Sequence, residues 1–229
     1  MKVTAIVLAA GKGSRMNSST PKQYLTLLGK PVLFYSLQAF ENSNVDEIIL
    51  VTGSGEQEYC KKEIIEKYQL NKVVHIVEGG RERYHSVHHG LLAATDSDFV
   101  LIHDGARPLI SVEVINYAIE KVKRHKACVA GMPAKDTIQY VDETGTICKT
   151  PERRLTWIAQ TPQCFSYELA LSSYNKAIEE ENNSVTDDAM VVQRYGNVRS
   201  VMFEGGYENI KVTTPEDILI AECLLKKCK

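Results

Sequence analysis

A charge excess of either sign is missing from this chain: 27 Lys and Arg stand against 29 Asp and Glu, a net charge of -2 over 229 residues. That balance removes the electrostatic case for a protein that coats nucleic acid or an anionic membrane, although a sum over the chain leaves room for a local basic pocket. A long hydrophobic run is missing too. No stretch approaches the roughly 18 apolar residues of a membrane span. The apolar start, residues 3–10, ends at once in Gly11-Lys12-Gly13, which is basic where a signal-peptide cleavage site would sit. A buried first strand is the expectation there. Cysteine pairs are also absent. The six cysteines (Cys60, Cys128, Cys148, Cys164, Cys223 and Cys228) include no C-x-x-C, and no His cluster joins them at zinc-site spacing. They are expected to be reduced thiols that pack as small apolar groups in a cytoplasmic protein. With no linker, repeat or low-complexity tract, the expected organisation is one α/β domain over residues 1–229, carrying an excursion at about 137–160.

What is present is an alternation of strand and helix signals. Val3–Leu8, Ile48–Val51, Val73–Val77, Phe99–His103 and Cys128–Gly131 are short, β-branched, continuously apolar runs, the pattern of strands buried on both faces. Pro31–Glu41, Glu56–Lys67, Arg83–Ala94 and Val112–Lys123 are patterned as helices between them. This alternation predicts βαβ crossovers and a mostly parallel sheet. After Met132 the rhythm changes: Thr137–Val141, a turn at residues 142–145 and Thr146–Lys149 read as a β-hairpin. Helices are expected again at Tyr167–Glu181 and Asp187–Tyr195, a strand at Val198–Phe203, and a last helix from Pro215 to about Lys227.

Ligands of open α/β sheets bind beyond the carboxyl ends of the strands, so the segments after each strand carry the functional signal. The first is Ala9-Ala10-Gly11-Lys12-Gly13-Ser14-Arg15-Met16. Its glycines let backbone N–H groups approach a phosphate. Met16 stands where a dinucleotide fingerprint needs glycine, and the P-loop spacing is absent. Lys12, Arg15 and Lys22 beside such a turn suit a triphosphate; an exposed basic loop is the alternative. The second is His103-Asp104-Gly105-Ala106-Arg107, able to bind hydroxyls or a hard cation and a phosphate, or to form a structural Asp–Arg pair. In the third, Trp157 to Gln163, Thr161 and the glutamines are compact donors that Pro162 keeps out of a helix, and Trp157 reads as core. Thr186-Asp187-Asp188-Ala189 reads as polar site residues or simply as a helix N-cap. Lys211, between apolar neighbours, points into a cleft or faces solvent.

Taken in order, the set G-x-G-x-R-M, P-K-Q, G-G-x-E-R-x-x-S-V, D-G-A-R-P, K-D-T, W-x-x-Q-T-P-Q, T-D-D-A and N-I-K-V-T-x-P-E-D resembles the cytidylyltransferase family of isoprenoid biosynthesis. The likeness runs from about Val3 to Asp217. It implies a Rossmann-like, mostly parallel sheet flanked by helices, of the nucleotide-diphospho-sugar transferase type, with a projecting β-arm that exchanges contacts across a homodimer. The hairpin at 137–149 sits where that arm belongs. The implied reaction joins CTP to 2-C-methyl-D-erythritol 4-phosphate, with Mg2+ or another divalent cation bound mainly through the CTP phosphates, no protein metal ligands, and no nucleic-acid or membrane partner. By the same likeness Arg15 and Lys22 stabilise the transition state, while Gly11, Lys12, Gly13 and Ser14 cradle the triphosphate. Ala9, Ala10, Gly80, Arg83, Ser86 and Asp104 complete the CTP site. Arg153 and Lys211 position the sugar phosphate, with Arg153 reaching the site of a second subunit. Asp104, Arg107, Thr137, Thr161 and Thr186 line the acceptor pocket.

Two departures stand out. Arg81 replaces the acidic residue common in the G-G-D-E-R stretch and receives no role; Pro151 precedes Glu152, and Arg154 adds a charge beside Arg153. Spacing to Trp157 selects Arg153 over Arg154. The sister ribitol-5-phosphate cytidylyltransferases share the glycine turn, P-K-Q and Q-T-P-Q, and are the alternative; Trp157 and the T-D-D-A run favour the isoprenoid family. Met16 disfavours a nicotinamide-dependent oxidoreductase, and the retained cations disfavour an inactive nucleotide sensor.

Overall fold

The computed structural model describes residues 1–11, 20–180 and 185–227. In chain order the elements are β1 (Val3–Ala9), β2 (Thr26–Leu27), β3 (Lys30–Pro31), α1 (Val32–Glu41), β4 (Glu47–Thr52), α2 (Gln57–Tyr59), β5 (Val73–Glu78), α3 (Arg83–Ala93) and β6 (Phe99–Asp104). There follow α4 (Val112–His125), β7 (Ala127–Pro133), β8 (Tyr140–Val141), β9 (Ile147–Lys149), β10 (Trp157–Ser166), α5 (Tyr167–Glu179), α6 (Asp188–Gly196), β11 (Val201–Glu204) and α7 (Pro215–Lys227). A seven-stranded sheet runs in the order β11-β7-β10-β6-β1-β4-β5. Every pairing in it is parallel except those of β10, which opposes both β6 and β7.

The apolar runs become strands because both faces of the sheet are covered. Along β1, Val3, Ala5 and Val7 pack with Leu33, Leu37 and Phe40 of α1 and with Ile115, Ile119 and Val122 of α4. Ile6, pointing the other way, packs with Val87 and Leu91 of α3 and with Tyr174 of α5. The two-residue repeat of a strand thus feeds two cores at once. A smaller cluster seats α7 through Ala221 on Leu27 and Val32. Among the described residues no helix is long and apolar enough to cross a membrane.

The fold class is as expected, with local corrections. β5 is an edge strand whose residues are half-buried or exposed, since nothing pairs on its far side. The helix expected over Glu56–Lys67 begins at α2 but winds on as a π-helix from Cys60 to Glu66. The strand expected at Val198–Phe203 is only β11. The largest miss is β10: the chain rejoins the sheet at Trp157, inside the stretch read as an excursion to about 160. Trp157 is half-buried opposite Pro133, at the strand's start and not in the core. The hairpin itself forms, as the separate two-stranded sheet β8–β9. Its turn is closed by Asp142, whose Oδ1 accepts from the Thr144 and Thr146 N–H groups at 2.9 and 3.0 Å, while Gly145 takes φ +83°.

Candidate active site

The carboxyl ends of β1, β4, β5 and β6 open onto a cavity of about 990 Å³, at the upper end of the size usual for small-molecule sites. Ala9, Ala10 and Gly11 bring the first wall, and Gly79, Gly80, Arg83 and Ser86 the facing one. These walls are closely fitted. A Cβ on Gly79 would lie 2.4 Å from the Ala10 Cβ and 2.8 Å from Ser86 Oγ, so only glycine lets the two strand ends approach. Ser86 staples the turn: its Oγ accepts from Gly80 N–H at 3.1 Å and donates to the Glu82 carbonyl at 3.2 Å. The turn leads into α3, where Glu82 and His85 form a reciprocal cap.

At the floor, three cations surround one carboxylate. Lys211 Nζ lies 2.7 Å from Asp104 Oδ2, Arg83 Nε 3.4 Å from Oδ1, and Arg107 Nε 4.0 Å from Oδ2. Burial alone would raise the Asp104 pKa. The charges of Arg83, Lys211 and Arg107 outweigh it and hold the carboxyl well below the usual carboxylate range. Arg83 is held from behind as well. Its Nη1 and Nη2 fork onto Asp188 at 2.5 and 2.8 Å, Asp188 is fully buried, and the Tyr174 hydroxyl donates to the same carboxylate. Burial opposes the Arg83 charge, but Asp188 and Asp104 raise its pKa well above the ordinary value. The guanidinium stays charged and oriented.

Beneath Asp104, Thr161 Oγ1 accepts from the Asp104 N–H at 3.1 Å and lies 3.0 Å from His103 Nδ1, while His103 Nε2 lies 3.3 Å from the Arg107 carbonyl. The Arg107 carbonyl can only accept, which assigns the histidine proton to Nε2, and Nδ1 then accepts from the threonine hydroxyl. Burial, eased in part by Asp104, pushes the His103 pKa down to about 3. His103 is therefore neutral, and both ring nitrogens are committed. The loop presenting Lys211 is fastened similarly: Asn209 Nδ2 donates to the Thr161 carbonyl at 2.9 Å, and Gln160 Nε2 to the Gly206 carbonyl at 2.8 Å.

Of the residues expected at the site, Ala9, Ala10, Gly11, Lys22, Gly80, Arg83, Ser86, Asp104 and Lys211 line the one cavity. Lys211 points inward. Lys12, Gly13, Ser14 and Arg15 lie outside the described residues. Arg107 and Thr161 stand just behind the floor and act on Asp104 instead of facing the cavity. Thr186 sits apart, beside Tyr84 and Tyr174 in a small crevice on the far side of Arg83. Thr137 and Arg153 are exposed on the arm and its base, away from this chain's cavity. Arg154, the rejected neighbour of Arg153, pairs with Glu152. Sequence reasoning gave no role to Gly79 and Glu56, read Gln163 only as a compact donor, and left Asp188 within a run of polar site residues or a helix N-cap. The T-D-D-A run is indeed a cap at Asp187, whose Oδ1 accepts from Met190 N–H at 2.9 Å. Gln163 grips the same helix start, donating to Asp187 Oδ2 and accepting from Ala189 N–H, each at 2.8 Å. Among the described residues no group of His, Cys, Asp and Glu is disposed to hold a metal ion.

Comparison with known proteins is consistent along the whole chain. The family model described as 2-C-methyl-D-erythritol 4-phosphate cytidylyltransferase matches residues 3–227. A protein of that name from Lachnoclostridium phytofermentans is 50% identical over 226 residues, covering 99% of this chain and 97% of its own. Another, from Caldanaerobacter subterraneus subsp. tengcongensis, is 46% identical over 229 residues, covering 99% and 100%. The crystal structure of the 4-diphosphocytidyl-2C-methyl-D-erythritol synthase of Anaerococcus prevotii superposes with a TM-score of 0.87 at 33% identity, covering 98% of this chain and 96% of that one.

Proposed function

The chain belongs to the 2-C-methyl-D-erythritol 4-phosphate cytidylyltransferase family, and on that premise we propose that it joins CTP and 2-C-methyl-D-erythritol 4-phosphate into 4-diphosphocytidyl-2-C-methyl-D-erythritol, releasing pyrophosphate. One observation supports this reading above the others: a single cavity at the strand ends gathers Lys22, Arg83 and Lys211, and the histidine beneath it is neutral with both nitrogens engaged. The acceptor's phosphate oxygen is already an anion at neutral pH. Its attack on the α-phosphorus of CTP needs no general base, only alignment of two polyanions and neutralisation of charge on the transferring and leaving phosphates.

In this reading the Gly11–Ser14 backbone and Lys12 cradle the triphosphate. The turn at Ala9-Ala10 faces Gly80 across the cytosine, with Ser86 holding that turn in shape. Lys22 and Arg15 meet the charge that builds during transfer. Lys211 takes the acceptor's phosphate, and Asp104, kept ionised by its three neighbours, takes hydroxyls. The carboxylates that line the cavity are already engaged: Asp104 faces Lys211 and Arg83, Glu56 accepts from Tyr24 and Gly53, and Glu82 caps α3. A divalent cation such as Mg2+ would therefore arrive on the triphosphate, where it neutralises phosphate charge. Thr137 and Arg153, exposed and remote from their own cavity, serve the site of a second copy, which makes the enzyme a homodimer built through its arm. It works in the cytoplasm.

Incubation of the chain with CTP and each of methylerythritol phosphate and ribitol 5-phosphate, with product identification and pyrophosphate as common readout, tests the reading. A higher kcat/KM with ribitol 5-phosphate would overturn it. Lys22→Ala and Arg15→Ala are each expected to lower kcat by about two orders of magnitude or more, with circular dichroism unchanged.

A further inference from the structure

We propose that Glu56 is a positioning residue for Lys22, acting through Tyr24; this rests on the cytidylyltransferase reading, in which Lys22 must meet the transferring phosphate. Lys22 opens a single 3₁₀ turn, Lys22–Tyr24, entered from Pro21 with no side-chain cap. One such turn has little stability of its own. Its place is set by the two side chains that follow Lys22. Buried Gln23 donates through Nε2 to the Ala9 carbonyl at 2.6 Å, fastening the turn to the end of β1. The Tyr24 hydroxyl donates to Glu56 Oε2 at 2.7 Å and lies 3.2 Å from Cys60 Sγ, while the tyrosine ring meets Tyr59 edge-on with centroids 5.0 Å apart. That second strut fastens the turn to the end of β4.

Glu56 is an odd choice for the wall of an anion-binding cavity, since its charge would repel a polyphosphate. Its geometry accounts for it. Oε2 receives two donors, Tyr24 and the Gly53 N–H at 3.0 Å, so the carboxylate is drawn towards the protein. Gly53 makes room for it, because a Cβ there would lie 2.7 Å from Oε2. Burial, with Cys60 and Glu56 adding to it, raises the Tyr24 pKa far above the ordinary phenol value, so the hydroxyl remains a donor. A charge-assisted bond from a permanent donor is short and strong. It spans 32 residues of sequence to hold the backbone that carries Lys22.

The test is pyrophosphate release from CTP and methylerythritol phosphate by the purified full chain. Tyr24→Phe and Glu56→Ala are each expected to lower kcat about 10- to 100-fold, the cost of roughly an ångström of misplacement, with KM for CTP and Tm little changed. Glu56→Gln, which keeps an oxygen acceptor, should recover most of the loss. In a Lys22→Ala background, Glu56→Ala should cost nothing further, because no ammonium remains to be placed. Near-normal kcat in Tyr24→Phe, or an equal loss from Glu56→Ala with and without Lys22, overturns the inference. Where Glu56→Ala does not fold, Tyr24→Phe, which deletes one oxygen, carries the same comparison. A wild-type chain that makes no product overturns the cytidylyltransferase reading, and the inference with it.

Discussion

An imidazole enclosed as His103 is must shed its proton to fold. Its pKa lies near 6.5 in an unfolded chain and about 3 in the folded one. Between those values the unfolded state binds more protons, so stability present above pH 6.5 is lost as pH falls through that window. At pH 5 the loss is about 2 kcal/mol. The Asp104 carboxyl, depressed by its cations, adds stability above its unfolded value that disappears only in stronger acid. Urea unfolding at pH 7 and pH 5 should therefore show a drop in the wild type that is about 2 kcal/mol smaller in His103→Gln. Equal drops would remove His103 from the account. At this scale Asp104 and Lys211 were legible because each follows a strand and carries a charge that needs a use. Asp188 was not: its partner Arg83 is 105 residues away, and local reading of T-D-D-A finds only the cap that Asp187 does provide. Tyr24 and Glu56 were hidden for the same reason.

Helix α4 ends on Lys126, which adopts φ +62° at the C-cap, a conformation that costs a side chain about 1 kcal/mol and glycine almost none. Lys126→Gly is expected to stabilise the chain by about 0.5–1 kcal/mol, partly offset by the freer unfolded chain, which raises Tm by roughly 1–4 °C in a protein of this size. A calorimetric melt without that rise would count against strain at the cap. Elements whose burial is uniform were the readable ones: β1, β4 and β6 lie between two helical layers, so continuous apolar runs mark them. β10 was unreadable because Pro162 argues against a central strand and its neighbours are polar. The strand accommodates the proline by letting its register with β7 lapse between Ala159 and Gln163. In the gap the side chains of Gln160 and Thr161 turn to the Gly206 carbonyl and the Asp104 N–H, and Gln163, where the ladder resumes, reaches Asp187. Polarity that reads as a loop is here a strand in service of a site. β5 misled in the opposite sense, an apolar run at an edge.

A two-stranded ribbon such as β8–β9 is marginal by itself, yet it carries Tyr140, Val141 and Ile147, each more than half exposed. If the arm joins two copies, as proposed, Tyr140→Glu with Ile147→Glu should shift the light-scattering mass from two chains to one while the melting of the main sheet persists. A mass that stays at two chains would move the seam elsewhere. The molecule also tolerates changes of length unevenly. The tip of the arm is held by hydrogen bonds within itself, among Asp142, Thr144 and Thr146, so an inserted residue there merely enlarges an exposed turn. Within β10 one inserted or deleted residue would send every later side chain to the opposite face. Thr161 would leave His103 and Gln163 would leave the start of α6 in a single step. Over evolutionary time the turn at the arm's tip is free to grow or shrink, whereas the residue count of β10 must be inherited intact.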